Sequence, residues 1–184
     1  MPYQNPLHVP VSYANLSSYN AIGSAIPAVR RRVPQATDGI SKSSINTIAF
    51  DFVGYPQQGM PLRELYVRGA HALQQMMEGP DDPVLAHTRL RMIKFRISWP
   101  GYEHVEWNRA IEIITSTGPI TRAYLGTVIA HHFALFIEKA QSENSRHGDW
   151  RLGSDGLRLD HIVLLSIHSV SEDTWQAEVA VDFR

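Results

Sequence analysis

Residues 92–99 alternate without a fault. Ile93, Phe95, Ile97 and Trp99 fall on one side, and Lys94, Arg96 and Ser98 on the other. A period of two means a strand with one buried face. Pro100-Gly101 signals a turn, and Val105, Trp107, Ile111 and Ile113 carry the alternation into a second strand, with a bulge expected at residues 108–110. Glu106 and Glu112 are placed to pair across with Lys94 and Arg96. The chain then switches period. From residue 120 to 140, Leu125, Val128, Ile129, His132, Phe133, Phe136, Ile137 and Ala140 recur at helical spacing. A hairpin and a helix that each carry an apolar face must bury those faces on one another. Residues 91–140 therefore set the core of the molecule, with the helix N-cap expected near Thr117 or Gly118.

The flanks fill in an α+β domain. Residues 45–53 read as a strand, with Ile48, Phe50 and Phe52 alternating against Ala49 and Asp51. Residues 61–78 read as one helix, opened by Pro61 and closed by Gly79-Pro80, with Glu64 and Arg68 spaced to pair. Residues 161–169 and 174–183 read as a terminal hairpin turned by Ser171-Glu172-Asp173. The order β-α-β-β-α-β predicts a ferredoxin-like single antiparallel sheet with two helices on one face, and the extra C-terminal strand extends its edge.

Residues 1–44 differ from the domain at 45–184. Pro2, Pro6, Pro10, Pro27 and Pro34 interrupt any long regular element. Leu16, Tyr19, Ile22 and Ile26 still recur at helical spacing, which predicts a short helix within an extended N-terminal arm and an interface made by those four side chains. Arg30, Arg31 and Arg32 form a basic cluster without interleaved aromatics.

Charge and composition narrow the function. Lys plus Arg number 17 against 18 Asp plus Glu, a net charge of -1, so nucleic acid is not the expected partner. With no cysteine, disulfides, thiolate metal sites and cysteine nucleophiles are excluded. The opening residues lack the basic and apolar regions of a secretory signal, and the longest apolar run is too short to span a bilayer. An intracellular protein, cytoplasmic or nuclear, without membrane attachment is the expectation.

The residues that could carry chemistry are scattered. None of the nine histidines falls in a His-x-x-x-His or His-Glu-x-x-His pattern, so no metal site is expected. His131 and His132 are adjacent and point to different sides of a helix; His132 reads as a core-edge residue with a satisfied ring nitrogen. Phosphate-binding glycine loops and the nucleophile elbow are missing, and no cofactor is expected. The rim of the central stretch leaves Tyr102, His104, Arg122 and His131 as candidate binding residues, with Arg122 as an anion anchor at the helix start and Glu138 as an acid for the histidines.

Trp99-Pro100-Gly101-Tyr102, Ile120-Thr121-Arg122-Ala123-Tyr124-Leu125 and the segment from Val170 to Gln176 together carry a resemblance. The chain resembles a group of proteins from mushroom-forming (basidiomycete) fungi over roughly residues 45–180. That resemblance implies no activity and assigns no site residues. The residues themselves favour a non-enzymatic protein-interaction module: a homo-oligomer whose arm packs on a neighbouring subunit. A small-molecule-binding enzyme with a His131/His132 site and a structural coat or filament subunit are the alternatives.

Overall fold

The terminal hairpin, expected at the edge, lies in the middle of the sheet. The computed structural model describes residues 29–34 and 46–183. Leu16, Tyr19, Ile22 and Ile26 lie outside the described residues. The main sheet runs in the spatial order β2 (Thr47–Ala49), β8 (Ile162–Ser169), β9 (Thr174–Phe183), β4 (Met92–Ile97) and β5 (Trp107–Glu112). Two further strands join it: β1 (Val29–Arg32) pairs with β9, and β3 (Met60–Pro61) with β8. The fold is α+β, with one seven-stranded main sheet and, among the described residues, three α-helices.

The expected ferredoxin-like order does not form, and the sheet is mixed. β4 runs parallel to β9, with Phe95 opposite Trp175, while the other pairings in the sheet are antiparallel. The reason lies in β9 itself. Trp175, Ala177, Val179 and Val181 are buried on one face, and Gln176 and Ala180 on the other. A strand buried on both faces belongs inside a sheet, whatever its place in the chain. β9 is also long enough to be shared. β4 pairs with residues 174–176 and β1 with residues 180–183.

The helices depart from expectation in a way that glycine explains. The single helix expected at 61–78 is two: α1 (Leu62–Val67) and α2 (Ala70–Met76). Arg68 and Gly69 between them are extended. Glycine costs a helix interior about 1 kcal/mol, which makes Gly69 the weakest point of the run. The Glu64–Arg68 pair closes at 2.7 Å. The long helix α3 (Arg122–Ala140) starts later than expected, because β6 (Ile114–Thr115) and β7 (Gly118–Pro119) make a separate two-stranded ribbon first. Thr121 is its N-cap, accepting the Tyr124 N–H at 3.3 Å.

α3 buries Leu125, Ile129, Phe133, Phe136 and Ala140. Phe133 meets Phe95 edge-on at 6.4 Å, and Phe136 meets Trp107 at 5.8 Å. At Gly126 the helix comes close to its neighbours; a Cβ there would lie 3.1 Å from Leu65 and 3.4 Å from Phe50. The hairpin of β4 and β5 is regular. Ile97 faces Trp107 and Met92 faces Glu112 without a bulge at 108–110. The irregularity sits in β8 instead, between Leu164 and Ser166. Lys94 lies opposite Ala110 and Arg96 opposite Asn108, so neither stands directly across from Glu106 or Glu112 in the register. Lys94 bonds Asp173 at 2.8 Å instead.

Candidate functional site

The motif Trp99-Pro100-Gly101-Tyr102 serves the protein's own loop. Trp99 Nε1 donates to the Trp150 carbonyl at 2.8 Å, and Tyr102 Oη accepts from the Leu152 N–H at 3.1 Å. Gly101 has φ +84°, and its carbonyl accepts from Arg146 N–H at 3.0 Å. A Cβ at Gly101 would sit 2.8 Å from the His147 nitrogen. Three of the four motif residues therefore staple residues 145–152, and Tyr102 is buried at 2% exposure. His104 stacks on the Tyr102 ring at 6.3 Å, with Nε2 3.7 Å from Glu143.

Arg122 is likewise committed. Its Nε donates to the Gly79 carbonyl, Nη1 to the Ala49 carbonyl and Nη2 to Asp82 Oδ2, at 3.1, 2.6 and 2.9 Å. It ties the start of α3 to the end of β2 and to the turn after α2. His104 and Glu143 lie at the far end of the helix, roughly 28 Å away at 1.5 Å per residue. The four candidate binding residues are thus not gathered at one place. Glu138 is exposed on the last turns of α3.

The basic cluster resolves into a strand with a partner for each arginine. Arg30 grips Asp182 through two bonds, at 2.6 and 2.8 Å. Arg32 bonds Glu178, which also accepts from Ser166 Oγ at 3.0 Å. Arg31 turns to the other face and lies over the rings of Trp150 and Phe183, at 5.2 and 5.4 Å. Glu178, Ser166, His168, Gln176 and Arg96 are neighbours in the strand register, on the sheet face opposite α3. Burial lowers the pKa of His168, against the pull of Glu178.

The two histidines of α3 differ. His131 is exposed and stacks on Tyr66 of α1, ring centroids 6.2 Å apart and nearly parallel. His132 leans on Phe95 and Trp107, at 5.8 and 6.3 Å. Its Nδ1 is buried without a hydrogen-bond partner, contrary to the satisfied nitrogen expected, and so is Trp107 Nε1. Burial first, then His131 and Arg109, push its pKa down. The Arg109 guanidinium covers the Trp107 ring at 4.4 Å.

The surface that sequence reasoning missed is the outward side of α3. Tyr124, Val128, His131 and Leu135 follow one another at spacings of four, three and four, which keeps them on a single stripe. Tyr124 is 54% exposed and Leu135 38%, and Tyr66 beside His131 is 46% exposed. Residues 123–137 contain no Asp, Glu, Lys or Arg. A helix with one face in water ordinarily carries charge there, and an apolar helix all round is ordinarily covered. That missing charge was the available signal. Tyr124 also borders a shallow depression of about 290 Å³, lined by Thr115, Ser116, Thr117 and Ile120 and without a charged group. Among the described residues, no cluster of His, Asp and Glu could hold a metal ion, and no helix is long and apolar enough to cross a membrane. Compared with family models, curated proteins and solved structures, the chain shows no match.

Proposed function

We propose that the protein is a non-enzymatic interaction module that self-associates, with the N-terminal arm packing on a neighbouring subunit. The observation that carries this reading is the outward stripe of α3. Apolar surface of this kind, contiguous and without charge, marks an interaction site more often than a solvated face. Tyrosine and histidine suit such a surface, because their rings bury area while their polar atoms find partners. The polar groups of Tyr102 and Arg122, by contrast, are already taken up in holding the fold.

Light scattering of the full chain and of Leu135→Glu tests the reading. The full chain is expected to form a stable multimer, and Leu135→Glu to shift it towards monomer with unchanged circular dichroism. A full chain that stays monomeric at every concentration rejects it. A coat or filament subunit is the extended form of the same reading; electron microscopy of concentrated protein would show open assemblies rather than closed ones.

A second reading, a small-molecule site at His131/His132, is favoured by one observation: the unpartnered nitrogens of His132 and Trp107. A ligand bound there would shift the His132 ring resonances in a nuclear magnetic resonance titration. Unchanged resonances across a library of small acids and amines would leave that reading without support.

A further inference from the structure

We infer that the outward stripe of α3 is the seat of residues 16–26 from a neighbouring copy of the chain. The inference rests on the self-association reading and names its acceptor surface.

Three observations converge. The first is chemical. The first 29 residues hold no Asp, Glu, Lys or Arg, and neither do residues 123–137. Joining two uncharged surfaces desolvates no ion, so apolar contact is not offset by the cost of burying charge. The second is dimensional. Leu16, Tyr19, Ile22 and Ile26 would form one helical stripe roughly 15 Å long, and Tyr124 to Leu135 spans roughly 17 Å of α3. An amphipathic helix read through anchors three and four residues apart is a common way to cover such a surface.

The third is the tether. Residues 1–28 end where β1 begins, and Val29 is fixed opposite Phe183 in the sheet. Ile26 stands three residues upstream, so its Cα lies within roughly 11 Å of Val29. The stripe is on the side of α3 turned away from the sheet, beyond a helix roughly 10–12 Å across. α3 also sits over Phe95 and Trp107 of β4 and β5, while β1 lies alongside the far half of β9. The tether therefore favours the arm of a neighbour over that of the same copy as the occupant.

The absence of native cysteine makes a crosslinking test clean. One batch carries Ile22→Cys, a second His131→Cys, and a control Asn108→Cys on exposed β5. The first two positions are central to their stripes, so they meet whichever way the helices run. Mixed and mildly oxidised, the Ile22→Cys and His131→Cys copies are expected to join as a heterodimer, and Ile22→Cys with Asn108→Cys is not. Ile22→Asp is expected to weaken association at least about tenfold, equivalent to roughly 1.4 kcal/mol. A multimer that persists with neither crosslink overturns the acceptor named here and leaves self-association standing. A crosslink forming only within one copy carrying both cysteines overturns the exchange between copies. A monomeric full chain overturns both readings.

Discussion

The two outer surfaces of this molecule follow opposite rules. On the sheet face opposite α3, charges are paired: Arg30 with Asp182, and Arg32 with Glu178, which also accepts from the Ser166 hydroxyl. On the outward side of α3 there is nothing to match, because residues 123–137 carry no formal charge. A surface meant for water is usually dressed with ions, each worth little alone but favourable as a set. A surface without them is soluble only when something covers it or when its area is small. The difference makes the uncharged outward side of α3 the surface on which the proposed association is to be tested.

The comparison can be broken most severely by substitution beneath the stripe. Phe133 is buried against Phe95. Phe133→Ala should cost about 3–5 kcal/mol in denaturant unfolding. Leu135→Glu, two residues on and facing outward, should leave monomer stability nearly unchanged. If the two variants destabilise equally, the inner and outer faces of α3 are not distinct in the way described. A smaller effect is expected at the staple of the 145–152 loop. Tyr102→Phe leaves the buried Leu152 N–H without its acceptor and should cost about 1–3 kcal/mol in thermal unfolding.

Much of this was legible in the chain. The alternation at 92–99 placed Ile93, Phe95, Ile97 and Trp99 in the core, and all four are buried. Helical period placed Leu125, Phe133 and Phe136 there as well. The split of His131 and His132 between exposed and half-buried sides followed from helix geometry. Sheet order was not legible. Ala177 and Ala180 are short on both faces of β9, which fits a central strand, but alternation alone reads the same at an edge. Nor could sequence show that Arg30 and Arg32 would pair with Asp182 and Glu178, some 150 positions away. Tyr102 and Arg122 looked available because their partners, Leu152, Gly79, Ala49 and Asp82, are brought in by tertiary structure. The stripe on α3 was readable in principle. Its signal is an absence of charge over residues 123–137, which apolar periodicity does not register.

The ion-paired face offers a milder test. Arg30→Ala removes the bidentate bond to Asp182, whose side chain is 20% exposed, and should cost about 1 kcal/mol, reduced by added salt. A salt-independent loss would mean that Arg30 acts through packing instead.

The smallest effect is that of pH. His132 and His168 both have pKa values lowered from the ordinary 6.5, burial being the first cause in each. Between the folded and unfolded values, the unfolded chain binds more protons, so stability rises with pH. The penalty is absent above the unfolded value and complete below the folded one. Thermal stability should therefore fall as pH drops from neutrality through 6.5, and His132→Gln should flatten part of that slope. A profile unchanged by the substitution would show that His132 titrates alike in both states.

The central claim is that the uncharged stripe is covered in the assembled protein. Hydroxyl-radical footprinting across a dilution series reads it directly. Tyr66, Tyr124 and Leu135 should be protected at high concentration and become reactive together as the protein is diluted, while Met92, on the opposite face and 53% exposed, stays reactive throughout. Equal reactivity of Tyr66, Tyr124 and Leu135 at every concentration would contradict the account.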